Sequence, residues 1–128
     1  MANVLFVCTQ NAGRSQMSEY FFARAAKGRH GARSAGTQPA DQVHPIVVQA
    51  MREAGIDLSE RDPKGLSDEL MDWADVVVTM GCGDACPLIP GKRYVDWDLA
   101  DPSDKSLPEV RAIRDEIERR TSRLVMEL

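Results

Sequence analysis

Val4-Leu5-Phe6-Val7-Cys8-Thr9-Gln10-Asn11-Ala12-Gly13-Arg14-Ser15 is the stretch that decides the fold class. Its first four residues form a short, continuous apolar run, rich in β-formers, as a strand buried on both faces should be. From Arg14 onward, Met17, Phe21 and Ala25 recur at four-residue spacing with Phe22 beside them. That spacing predicts a helix with one buried face, stopped at Lys27-Gly28. A strand that passes through a short loop into an amphipathic helix is the first half of a βαβ unit.

The rest of the chain continues the alternation. Ala32 to Thr37 reads as a second short strand. Pro45 opens a helix that places Ile46, Val47, Ala50 and Met51 on one face and ends at Gly55. Ser67 caps a short helix through Met71 and Trp73. Ala74 to Met80 is the most strand-like segment, and Lys92 to Leu99 is a further strand candidate. Val110, Ile113, Ile117, Leu124 and Leu128 give the last helix its apolar stripe. Strands alternating with helices predict an α/β fold with a parallel sheet covered on both faces. Ligands of such open sheets bind outside the carboxyl ends of the strands. Cys8 and Cys82 both follow directly after a predicted strand, so their segments should share that edge.

Composition narrows the function classes. The 128 residues suit one domain, 1–128, with an ordinary globular balance of 43% hydrophobic and 28% charged residues. With 16 Lys+Arg against 20 Asp+Glu, the formal charge is −4, so neither nucleic acid nor an anionic membrane is an expected partner. No apolar run approaches the ~20 residues of a membrane span. The first residues lack a basic n-region and a cleavage site, which predicts a cytoplasmic protein. The cysteines number 3, odd and too few for a disulfide scaffold, so chemical roles are expected of them.

The loop from Cys8 to Ser15 is built for an oxyanion. Between a strand and a helix, the backbone N–H groups of Thr9, Gln10, Asn11, Ala12, Gly13, Arg14 and Ser15 can converge on a tetrahedral anion. Gly13 permits the backbone conformations such a nest needs. The Arg14 guanidinium can grip two of the anion's oxygens in a planar fork. The same positive potential should hold Cys8 as the reactive thiolate. Ser15 can donate its hydroxyl to the sulfur, and Asn11 can bond across the loop to hold its shape. The plainer alternative makes Cys8 a buried strand-end thiol and Arg14 a surface charge.

Cys8 to Glu19 reads C-T-Q-N-A-G-R-S-Q-M-S-E and resembles the anion loop of the low-molecular-weight protein tyrosine phosphatase superfamily. More closely, it is similar to the arsenate reductases built on that fold. The phosphatases usually carry proline after the serine, whereas Gln16-Met17 follows here, as in the arsenate reductases. Ser34-Ala35-Gly36-Thr37 also fits, and the resemblance covers essentially the whole chain. It implies a four-stranded parallel sheet flanked by helices.

Displacing an oxygen from the anion needs a proton donor. Asp101-Pro102 lies before the last helix, and on its residues alone it fits a turn as well as an acid. Asp62-Pro63 shows the same dipeptide. The resemblance implies that Asp101 is the general acid. Phosphatases of this class tend to place aromatics after that aspartate to grip phosphotyrosine. Here Ser103-Asp104 follows and only 5% of residues are aromatic, a pocket better suited to a small inorganic anion.

Gly81-Cys82-Gly83-Asp84-Ala85-Cys86-Pro87 separates the candidate functions. A phosphatase needs one thiolate and then water, whereas a reductase must deliver two electrons, which a dithiol supplies by becoming a disulfide. Zinc would need about four ligands, and besides Cys8 the chain offers only His30 and His44, neither at a ligand spacing. Inert thiols remain open, yet glycine, aspartate and proline around both cysteines favour an exposed, loose loop. Residues four apart in helical geometry have Cα atoms about 6.2 Å apart, inside the usual disulfide range of about 4.4–6.8 Å. The pair is therefore bridgeable.

The resemblance assigns the roles. Cys82 would attack the arsenylated Cys8, and Cys86 would then take over the bridge, although in other members the two cysteines are further apart. Some relatives bind potassium through residues matching Asn11, Glu19, Ser34 and an aspartate. Lys64 falls near that last position, where its ammonium either pairs with Glu19 in the cation's place or is simply solvated. No metal or cofactor is expected. The resulting expectation is an arsenate reductase, with phosphate or sulfate as mimics of arsenate and thioredoxin or a similar thiol reductant as partner. The alternatives are a tyrosine phosphatase using Cys8, Arg14 and Asp101, and a non-catalytic oxyanion-binding or redox-sensing module.

Overall fold

Alternate side chains of the first strand enter different cores, which is why its sequence is apolar without interruption. In β1 (Asn3–Cys8), Val4, Phe6 and Cys8 join one buried cluster, while Leu5 and Val7 join another on the opposite face. In β3 (Val76–Thr79), Val76 and Val78 face the first cluster and Val77 the second. The computed structural model describes residues 1–81 and 90–128. The sequence readings on Cys82 and Cys86 lie outside the described residues.

The remaining elements among the described residues are α1 (Arg14–Ala26), β2 (Gly31–Gly36), α2 (Pro45–Glu53), α3 (Asp68–Trp73), β4 (Arg93–Asp96), a 3-10 turn (Pro102–Asp104) and α4 (Leu107–Glu127). The four strands run parallel in the order β2-β1-β3-β4. Cys8 stands opposite Gly36, and Val7 opposite Thr79, so the carboxyl ends of β1, β2 and β3 form one edge.

On one face, Phe22 and Ala26 of α1 and Leu124 and Val125 of α4 pack over Phe6 and Trp97. The Phe6 ring lies 5.6 Å from Phe22 and 5.9 Å from Trp97, centroid to centroid. Truncating a fully buried phenylalanine of this kind costs about 3–5 kcal/mol. Met17 and Phe21, on the other side of α1, meet Val47, Ala50 and Met51 of α2 and Val110 and Ile117 of α4. The second face of the sheet is covered by Met71 of α3 with Ala74.

Local signals set the ends of these elements. Helix α1 closes at Lys27, which is left-handed (φ 51°) and donates its N–H to the Ala23 carbonyl. The Ser67 side chain accepts from the Leu70 N–H and caps α3. Helix α4 begins with a reciprocal Ser106–Glu109 capping box around Pro108, a start signal written in Ser106-Leu107-Pro108-Glu109. Leu128 departs from the expected stripe: it lies past the helix end and is 37% exposed, while Thr121 and Val125 complete the buried face. Strand pairing in β4 spans only Arg93–Asp96, and among the described residues β4 is an edge paired with β3. Among the described residues, no helix is long and apolar enough to cross a membrane.

Candidate active site

Strand β1 ends by delivering a thiol to the carboxyl edge of the sheet. Cys8 is buried, its sulfur 2.9 Å from the Ser15 hydroxyl and 3.3 Å from the Asn11 backbone N–H, which donates to it. The chain bends sharply because Asn11 is left-handed (φ 51°), a region asparagine tolerates better than most residues. A left-handed residue inside a turn aims successive N–H groups to one side and makes an anion-binding concavity. The N-terminus of α1 follows at Arg14 and adds its unsatisfied amides.

Buried side chains brace the turn. Asn11 Nδ2 donates to Ser15 Oγ at 2.7 Å, and Asn11 Oδ1 accepts from the Lys64 backbone N–H at 2.8 Å. Gln16 Nε2 donates to both Asn11 O and Asn11 Oδ1, at 3.1 and 3.0 Å. Gly36, at the end of the neighbouring strand, lets the loop close: a Cβ there would sit 2.6 Å from Thr9 O and 2.8 Å from Asn11 N. Gly13 takes a conformation outside both the helical and the extended regions (φ −151°, ψ −90°), and its lack of a side chain also gives room to Pro102, whose Cγ would lie 2.8 Å from a Cβ. The loop's left-handed position belongs to Asn11.

Arg14 is buried at the start of α1 and is held from two sides. Its Nη1 donates to the Leu99 carbonyl at 3.1 Å, and its Nη2 stands 3.7 Å from Asp101 Oδ2. Asp101 Oδ1 caps the 3-10 turn by accepting from the Ser103 N–H at 3.0 Å. The dipeptide Asp101-Pro102 is therefore a turn that also sets a carboxylate beside Arg14 of the anion loop. Thr9 is half-buried and donates its hydroxyl to the Gly81 carbonyl at 2.9 Å. Gly81 is left-handed (φ 82°), and a Cβ on it would overlap the Arg14 guanidinium. Ala12 is buried, with its carbonyl accepting from the His44 N–H at 3.0 Å. Gln10 is exposed, and its Oε1 lies 3.0 Å from His44 Nε2.

Of the two readings of Lys64, pairing with Glu19 gives way to the solvated one: Lys64 is exposed and serves the loop through its backbone, while the cation on Glu19 is Arg61. Arg61 Nη2 donates to both Glu19 carboxylate oxygens, at 3.0 and 3.1 Å, and Ser34 Oγ donates to Glu19 Oε1 at 2.5 Å. The bridge between Gly36 and Gly65 ties the backbone around Lys64 to β2 and leaves its ammonium outside. Sequence reading also missed Gln16 and Gly81 as parts of the site. A glycine directly after a strand signals a close approach. Nothing in the aperiodic run around Arg61 marks its role.

A buried thiol, a left-handed turn, a clamped arginine and an exposed carboxylate lie together at the edge of a parallel sheet, an arrangement able to hold an oxyanion beside a thiol. The sequence profile of the low molecular weight phosphotyrosine protein phosphatase family matches residues 3–128, and the chain belongs to that family. A curated protein of Halobacterium salinarum is 45% identical over 120 residues, spanning 90% of this chain and 84% of that one. The glutaredoxin arsenate reductase of Synechocystis sp. is 33% identical over 131 residues, spanning 100% of this chain and 99% of that one. Among solved structures, the thioredoxin-dependent arsenate reductase of Corynebacterium glutamicum superposes with a TM-score of 0.83 at 38% identity. That match covers 99% of this chain and 60% of the other.

Proposed function

We propose that this chain is an arsenate reductase that works through three thiols. The observation that carries the reading is the attachment of Gly81, one residue ahead of the second cysteine pair in the sequence, to the first thiol's loop. Gly81, directly before Cys82 in the sequence, is bonded through its carbonyl to Thr9 and lies against Arg14. A phosphatase has no use for a second cysteine pair, which a reductase needs to supply two electrons. The relatives named for arsenate reduction support the same choice.

In this reading the loop amides from Thr9 to Ser15 and the Arg14 guanidinium hold arsenate. The Cys8 thiolate attacks arsenic, and Asp101 gives a proton to the oxygen that leaves as water. The Ser15 hydroxyl, in hydrogen-bond contact with the sulfur, steadies the thiolate before attack. Cys82 then attacks the Cys8 sulfur. The sulfur–arsenic bond breaks, its electron pair stays on arsenic, and arsenite departs as a Cys8–Cys82 disulfide forms. Cys86 attacks Cys82, which frees Cys8 and leaves a Cys82–Cys86 disulfide. Two electrons and two protons from a dithiol reductant restore the start.

Thioredoxin is the reductant we assign, in the cytoplasm, where a thiol pool keeps such dithiols reduced. The test is NADPH consumption through thioredoxin reductase and thioredoxin when arsenate is added. Arsenate-dependent consumption is expected. Turnover of p-nitrophenyl phosphate alone would make the protein a phosphatase, and tight phosphate binding with neither activity would make it a binding module.

A further inference from the structure

A one-way series of hydrogen-bond donors runs from an arginine outside the anion loop to the nucleophilic sulfur. The direction of each amide is fixed by backbone groups. Asn11 Oδ1 accepts from the Lys64 N–H, so its Nδ2 faces Ser15. Gln16 Nε2 donates to the Asn11 carbonyl, so its Oε1 faces outward to Arg61, whose Nε lies 3.4 Å away. Ser15 Oγ accepts from Asn11 Nδ2 at 2.7 Å, which turns its own hydrogen toward Cys8 Sγ at 2.9 Å. Arg61 donates to Gln16, Gln16 to Asn11, Asn11 to Ser15 and Ser15 to the sulfur. Asn11, Ser15 and Gln16 are each 0% exposed, so water does not substitute for a missing link. Aligned donors in a dry environment polarise one another.

The arginine is itself fixed. Glu19 takes its Nη2, Ser34 steadies Glu19, and the guanidinium carbon lies 5.1 Å from the Tyr20 ring centroid. We infer that Arg61 is a positioning residue for the nucleophile: a built-in cation at the head of the Arg61–Gln16–Asn11–Ser15 series that orients the donors ending on Cys8. The inference rests on the reading of Cys8 as nucleophile given above. Arg61 has no part in gripping the substrate, which sits on Arg14 and the loop amides. Its loss should therefore lower kcat and leave KM in place.

Three measurements test this. In Arg61→Ala, the rate of Cys8 alkylation by iodoacetamide and kcat for arsenate should fall together by roughly 10- to 100-fold, with KM and phosphate affinity held. Arg61 also borders an open groove with Val48, Leu58 and Ser59, so methylguanidinium should reach the vacated place and restore both rates while leaving the wild type unchanged. Gln16→Glu is the second variant: it keeps the volume, but its carboxylate cannot donate to Asn11, and it should show the same paired loss. Wild-type alkylation rates in whichever of the two variants still binds phosphate would overturn the inference. Labelling of wild-type Cys8 that leaves arsenate reduction intact would overturn the reading of Cys8 instead.

Discussion

Arg14 and Asp101 stand 3.7 Å apart as guanidinium and carboxylate, the first 9% exposed and the second 52%. The arginine is fixed in the protein and the aspartate stands at the opening. On the proposed mechanism, an arriving oxyanion competes with Asp101 for the guanidinium, and Asp101 takes up the proton that it gives to the leaving oxygen. An ion pair this exposed contributes little to stability, and on the proposed mechanism it places the acid beside the anion. Asp101→Asn should lower kcat roughly 10²–10⁴-fold while phosphate binding, read by calorimetry, survives. A wild-type rate would leave the dipeptide as a turn only.

Cys8→Ser should abolish arsenate reduction and any phosphate-ester hydrolysis together, because a serine hydroxyl stays un-ionised at neutral pH. The Asn11 side-chain, Gln16 and Gly36 contacts that shape the loop do not pass through the sulfur, so phosphate should still bind. Residual reduction in this variant would move the nucleophile elsewhere.

Gly36→Ala tests how the loop closes against β2. The new Cβ would meet backbone atoms of Thr9, Gln10 and Asn11 within 3 Å, and backbone cannot swing aside. A loss of about 1–3 kcal/mol in urea unfolding is expected, with weakened phosphate binding. Gly65→Ala is the control, since its Cβ would find only Pro39 Cγ at 3.7 Å. It should stay within about 0.5 kcal/mol of wild type.

Glu53 joins α2 to α4. Its carboxylate accepts from Arg111, at 2.9 and 2.7 Å, and from Arg114 at 2.9 Å. The Arg111 hydrogen bond foremost, with help from Arg114, holds its pKa at about 2 against an ordinary 4.5. A carboxylate depressed by folding stabilises the fold above its unfolded pKa and loses that contribution as pH falls through the folded value. The melting-temperature advantage of wild type over Glu53→Gln should be full above pH 4.5 and shrink steadily toward pH 2. A constant difference across that window would mean the ion pairs leave the titration unchanged.

How far the sequence could be read depended on the range of the forces involved. The strand–loop–helix from Val4 to Phe22, the Ser67 cap and the Lys27 stop are decided by neighbours in the chain, and all were legible. Cys8, Arg14 and Ser15 were legible too, because their spacing across one loop is itself the signal. Glu19 meets Arg61 from 42 residues away, in a stretch without periodicity, and the nearby Lys64 drew the expectation instead. Gly13 was read for conformational freedom, and no local signal marked that it also makes room for Pro102 from 89 residues on. Leu128 continued a spacing pattern past the point where the helix ends.

The central claim is the division of labour between the two later cysteines, and Cys86→Ser tests it most directly. This protein should release one arsenite per chain when given arsenate and then stop, because the Cys8–Cys82 bridge has no thiol to take it over. Mass spectrometry of its digest should find the peptides of Cys8 and Cys82 joined by a disulfide. Sustained turnover by Cys86→Ser with thioredoxin alone would contradict the three-thiol relay.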